Sequence, residues 1–159
     1  MRPAQRQKLI DKQIKKYPNK LRTCGDCKVC CNSLSVPDME PTPKEAHVDC
    51  VHLTEKGCGT YETRPQSCKD FYCAWLIGHP SLTGAMRPDR FGIVVWVAQT
   101  VHGESYYVDE ARQGAFDDPA VKTILRVLGT HRPLAMIHKT GLRRMVLRGK
   151  DAPLPDAPT

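Results

Sequence analysis

The chain has 159 residues, 40% of them hydrophobic and 26% charged, with thirteen prolines, eleven glycines and eight cysteines; this suffices for one domain with tails and a modest core. Its formal charge of +7 is concentrated, because residues 1–22 hold eight Lys or Arg against the single acid Asp11 while residues 23–159 balance to zero; the body is not basic but wears a basic arm. No apolar run approaches the ~20 residues that span a bilayer, and the N-terminal residues lack the apolar stretch of a signal peptide, so the expectation is a cytoplasmic protein with no membrane partner.

Taken in chain order, residues 4–16 predict a charged helix with a thin apolar stripe of Leu9, Ile10 and Ile14, ended by Pro18. Residues 1–22 are thus expected to form a basic helical arm. Residues 23–78 are a cysteine-rich region in which few regular elements are legible. Within it, Pro43-Lys44-Glu45-Ala46 reads as one helical turn capped by Thr42. From about residue 90 the texture changes: Phe91–Ala98 is a β-branched strand, His102-Gly103-Glu104 a turn, and Ser105–Glu110 its hairpin partner. Asp117-Asp118-Pro119 opens a helix carrying Val121, Ile124, Leu125 and Leu128, with Gly129 as its stop. Leu134–His138 and Leu142–Arg148 predict a second hairpin, turning at Lys139-Thr140-Gly141. Residues 79–150 therefore read as a ββαββ part packed with the cysteine-rich region as one domain. Three prolines among residues 151–159 predict a disordered tail. The fold class expected is α+β: an irregular cysteine-rich metal-binding lobe plus a small antiparallel sheet with one or two helices.

The chemistry is concentrated in the cysteines. Cys24, Cys27, Cys30, Cys31, Cys50, Cys58, Cys68 and Cys73 all fall within fifty residues, and none occurs elsewhere. Cysteines used as small hydrophobes would scatter. Disulfides fit an even count but not the expected compartment, and a Cys30–Cys31 bridge would be strained, since adjacent Cα atoms are ~3.8 Å apart. A redox pair needs only one Cys-x-x-Cys and leaves six cysteines unexplained. Metal binding accounts for all of them: soft thiolates select zinc or iron–sulfur centres, and eight make two complete four-sulfur sites or one cluster with spare ligands. Adjacent Cys30 and Cys31 more easily serve different metals or opposite sides of one cluster. The Cys-x2-Cys-x2-Cys run resembles a loop that wraps an iron–sulfur cluster, and no second zinc knuckle is present; the spacing leaves zinc and iron both open.

Cys24-x2-Cys27-x2-Cys30-Cys31, the distant Cys50, and Cys58 through Tyr61-x-x-Arg64-Pro65-x-x-Cys68 to Cys73 resemble the CxxCxxCC-type cysteine-cluster family, also called YkgJ-like and described as a zinc- or iron-chelating domain. The likeness covers residues 24–73, with Val29 where a glycine is usual, and Arg87-Pro88-Asp89-Arg90-Phe91-Gly92 is more weakly similar. The resemblance implies metal chelation and a bacterial origin. A flagellin lysine methylase is similar in its cysteine cluster, which keeps a modification enzyme in view.

Other residues read more plainly. His47 and His52 flank Cys50 and are expected to be surface or supporting histidines, because eight thiolates already suffice. His79, His102, His131 and His138 read as turn or surface residues. Tyr61, Phe71, Tyr72 and Trp75 supply a core for the lobe and shield the cluster. Arg64 either donates to cluster sulfurs, binds an anion or locks the Tyr61–Cys68 turn, and Asp89 and Arg90 read as turn-forming. There is no glycine-rich phosphate loop, no Ser-His-Asp order and no H-E-x-x-H. The leading expectation is a metal-binding protein. A metal- or iron–sulfur-dependent modification or redox enzyme is the alternative, and a nucleic-acid adaptor using the arm is the second; a protein partner cannot be named. Eight thiolates around two divalent ions would lower the formal +7 to about +3.

Overall fold

Glycine, proline and short polar residues break the first half of the chain into one-turn elements. The computed structural model describes Lys8, Asp11, Lys12, Lys15 and residues 22–100, 103–141, 143–147 and 150–152. Those four isolated positions are helical, whereas the apolar stripe Leu9, Ile10 and Ile14 lies outside the described residues. Next come the helix α1 (Val29–Ser33), the minimal antiparallel hairpin β1 (Leu53–Thr54) and β2 (Gly57–Cys58), and the helix α2 (Gln66–Lys69). Residues 43–46 are not the helical turn expected: Lys44 instead pairs with Val36 in an isolated antiparallel bridge. The segment is held extended by paired Val36–Lys44 backbone bonds and by the Lys44 ammonium on the Leu34 and Glu45 carbonyls.

The helix α3 (Pro88–Phe91) ends at Gly92, whose φ of 86° is left-handed and whose N–H closes the turn on the Pro88 carbonyl. A Cβ at Gly92 would sit 2.9 Å from Ala115 Cβ and 3.1 Å from the Arg112 guanidinium. Gly92→Ala should therefore cost roughly 2–4 kcal/mol, combining a left-handed penalty with overpacking. A fall in the urea midpoint at unchanged m-value would measure it.

Beyond Gly92 the apolar runs build the sheet. Strands β3 (Ile93–Thr100) and β4 (Gly103–Glu110) form an antiparallel hairpin, then helix α4 (Pro119–His131) leads to β5 (Leu134–Ile137), β6 (Arg143–Leu147) and β7 (Lys150–Ala152). The order is β3-β4-β5-β6-β7. Two expectations need correction. The sheet is mixed, because β4 and β5 run parallel: one helix between two neighbouring strands carries the chain back to its starting side, which excludes antiparallel pairing. Four α-helices occur among the described residues rather than one or two; three have only four or five residues, too short to leave a periodic signal.

Smaller differences follow the same logic. Gly103 and Glu104, expected in the turn, belong to β4, and His102 lies outside the described residues. Asp118 caps α4 as expected, accepting from the Ala120 N–H at 2.8 Å. Gly129 does not stop the helix, which runs to His131; it makes room for Leu134, whose Cδ1 lies 3.3 Å from where a Cβ would stand. Asp151 and Ala152, assigned to the tail, pair with β6, and residues 153–159 lie outside the described residues.

Alternation along the strands gives the sheet two working faces. Ile93, Val95, Tyr106, Val108, Leu134 and Met136 pack with Val121, Ile124, Leu125 and Leu128 of α4 in one buried cluster. The other face carries Trp96 stacked on Tyr107, its direct cross-strand partner, with Phe71 edge-on to Trp96 at 5.9 Å. Cys73, Ala74, Trp75 and Leu82 join the main cluster, and the Ala74 N–H donates to Val95 O at the outer edge of β3. The cysteine-rich segment thus shares the core of the sheet. His79, read as a turn or surface residue, is buried with its Nε2 2.7 Å from Tyr106 Oη; a histidine with such a phenol partner loses little by leaving water.

Candidate metal centre

Backbone turns present the first thiols. Gly25 takes a φ of 57°, and the Cys27 N–H bonds to the Cys24 carbonyl to close a tight loop. Arg87 staples that loop to α3, pairing with Asp26 at 2.7 Å and Asp89 at 2.6 Å and donating to the Cys24 carbonyl at 3.4 Å. Cys30 and Cys31 are consecutive in α1, so their side chains diverge by about 100° around the helix axis. The Cys50 N–H donates to the Cys31 carbonyl at 3.1 Å, drawing the middle of the lobe against α1. Cys58 pairs with Leu53 in the small hairpin. Cys68 lies in α2, whose Ser67 donates through both N–H and hydroxyl to the Asp38 carboxylate. Cys73 is 5% exposed, with the Leu76 N–H directed at its sulfur at 3.4 Å.

All eight cysteines are free thiols, and their mutual electrostatics sort them into fours. Cys30 is raised well above the usual thiol value, first by burial and then by the charges of Cys73, Cys27 and Cys24, with adjacent Cys31 last. Burial likewise pushes Cys73 up to about 12, with Cys24 and Cys27 adding to it. Cys31 is pushed up to about 11, by burial and then by Cys50, Cys58 and Cys68. Cys68 is raised by burial, Asp38, Cys50 and Cys58. By the largest of these mutual charges, Cys24, Cys27, Cys30 and Cys73 make a first group and Cys31, Cys50, Cys58 and Cys68 a second, with Cys31 also acting weakly on Cys30.

Cations flank both groups. Arg64 and Arg87 oppose the rise of Cys24, Arg64 also opposes that of Cys68, and Lys44 opposes that of Cys31. Arg64 lies 3.7 Å over the Tyr61 ring and donates to the Tyr61 carbonyl, which fixes the Tyr61–Cys68 turn as one of its expected roles. Among the described residues no three Cys, His, Asp or Glu side chains stand close enough to hold an ion as they are. The thiols are sorted without being closed around a point. Closing either four requires loss of thiol protons and a cation to bind the thiolates. As donor sets, four soft sulfurs with a basic side chain beside them fit a soft metal.

Three features escaped the sequence. Lys44 is 4% exposed; burial pushes its ammonium down, while Cys50, Cys31, Asp49 and Cys68 push it back up. Arg87 lay in a recognised Arg-Pro-Asp stretch, yet nothing local pointed to Asp26 as its partner. His47 has a φ of 59° and holds Nε2 3.3 Å from Asp109 Oδ1 on β4; burial, Lys139 and Lys44 push its ring down, against Glu110. Lys44 was read only as part of a helical turn and His47 as a surface or supporting histidine, and tertiary packing alone reveals their burial and partners. From the arm, Lys12 pairs with Glu104 at 2.9 Å, and Glu104 also pairs with Arg132.

No protein-family model matches the chain, and neither a curated protein nor a solved structure matches it.

Proposed function

We propose that the chain is a metal-binding protein that holds two zinc or iron centres, one on Cys24, Cys27, Cys30 and Cys73 and one on Cys31, Cys50, Cys58 and Cys68. The observation that carries this reading is the gathering of all eight free thiols into residues 24–73, with consecutive Cys30 and Cys31 diverging around α1; the charges that raise these two thiols come mainly from different cysteines, which supports two centres. Eight thiolates supply two sets of four, and four thiolates complete a tetrahedral site. Bound metal would supply cross-links between loops that little apolar burial holds. The resemblance of residues 24–73 to the CxxCxxCC-type family points the same way.

Anaerobic purification followed by elemental analysis and an absorption spectrum tests it. About two zinc ions per chain in a colourless protein, or iron with sulfide in a brown one, is the expected result. A folded, metal-free chain whose eight thiols all react with a thiol reagent, and which takes up neither metal when it is offered, would overturn the proposal.

A further inference from the structure

A lysine ammonium has three N–H donors and no way to accept. At Lys44 two of them are used, on the carbonyls of Leu34 and Glu45 (3.0 Å to the latter). Among the described residues no third acceptor reaches it. Leu34 follows α1 directly, and its N–H donates to the Cys30 carbonyl, so the ammonium is anchored at the end of the helix that carries the paired cysteines. Cys31 lies in that same helix and Cys50 is drawn to it by its N–H on the Cys31 carbonyl at 3.1 Å; Cys50, Cys31 and Cys68, with Asp49, are also the charges that hold the Lys44 ammonium up against burial. A buried ammonium beside neutral thiols is costly, because a thiol is a weak acceptor. Beside thiolates the same placement becomes favourable, since the charge is matched and the third donor has a strong acceptor.

We infer that Lys44 is the fixed counter-cation of the second thiol group, neutralising part of its negative charge when metal is bound and making the two groups unequal in affinity. Among the described residues the first group has no equivalent buried lysine; its cations are Arg64, held on the Tyr61 ring and carbonyl, and Arg87, engaged by Asp26 and Asp89. The inference rests on the metal reading above and adds a positioning role for a residue that is not itself a ligand.

The test is cobalt(II) titration of the full-length, reduced, metal-free chain, followed by zinc competition, with thiolate-to-cobalt absorption as the readout. Wild type should show two phases. Lys44→Met should weaken one of them by roughly tenfold or more and leave the other unchanged. In a Cys50→Ala background, where only the first group is complete, Lys44→Met should have no effect on the remaining phase; in a Cys73→Ala background its effect should persist. Lys44→Arg, which keeps the charge, should retain the affinity that Lys44→Met loses, and Lys44→Gln gives a milder neutral variant where methionine impairs folding. Two wild-type phases that are both indifferent to Lys44, or both weakened alike, would overturn this inference alone. A wild-type chain that binds no cobalt or zinc overturns the metal reading and this inference together.

Discussion

If the chain holds the two metal centres proposed, Cys30→Ser and Cys31→Ser should each loosen one of them, and not the same one. The two residues are neighbours in sequence, yet Cys30 answers to Cys24, Cys27 and Cys73 whereas Cys31 answers to Cys50, Cys58 and Cys68. Apparent binding energies of structural zinc sites run to about 10–16 kcal/mol, so losing one ligand of four should cost roughly 3–4 kcal/mol at that site, about two to three decades in affinity. Each single variant should keep one tightly held ion and exchange the other rapidly with a chelator. The thermal consequences should differ as well. The first group includes Cys73, which packs in the main core with Ala74 and Trp75, so Cys30→Ser should lower Tm more than Cys31→Ser. Chelator competition with metal counting, beside a thermal scan, reads both. Equal loss of both ions in either variant would show that the eight thiols act as one cluster.

The pH dependence should change sign with metal. In the metal-free chain Cys24, Cys27, Cys30 and Cys73 are all raised from the ordinary thiol value of 9.0, chiefly by burial. The folded form therefore keeps protons that the unfolded chain has begun to release. Stability from these groups is fully present below pH 9 and is lost as pH rises through the folded values, which for Cys73 lie at about 12. Metal-free protein should thus unfold more readily between about pH 9 and 11. With zinc present the balance reverses at lower pH, because each ligand must give up its proton to bind: affinity should climb between about pH 6 and 8, by a slope approaching four protons per ion for the first group. Calorimetric titration in buffers of different ionisation enthalpy counts those protons. A pH-independent affinity in that window is incompatible with ligation by these thiols.

The sheet and its long helix were legible because their physics is local. β-branched runs, the Asp118-Pro119 start and the 3.6-residue spacing of Val121, Ile124, Leu125 and Leu128 decide those elements before any tertiary contact forms. Strand direction was not legible, since it depends on where α4 returns the chain. The short helices were invisible for want of length. At the candidate site the adjacency of Cys30 and Cys31 suggested either different metals or opposite sides of one cluster, and spacing alone could not assign the other six cysteines. Cys73 follows Cys68 by five positions, yet the next residue, Ala74, is tied to Val95 on the sheet edge, and the thiol charges that raise Cys73 are those of Cys24 and Cys27 rather than of Cys68. Lys44 was misread for the same reason: its burial is created by a bridge to Val36 that no local pattern announces.

The contact at that edge has a consequence for solubility. β3 is one of the two edge strands of the sheet, and the Ala74 N–H meets its Val95 carbonyl at 2.6 Å while Cys73 and Trp75 join the same core cluster. An outer strand rich in valine and isoleucine is a template for pairing with another chain once its cover is lifted. Because the covering segment begins at a proposed metal ligand, the metal would act at a distance as a guard against self-association. Starving cells of zinc or iron should then be felt first as aggregation through β3.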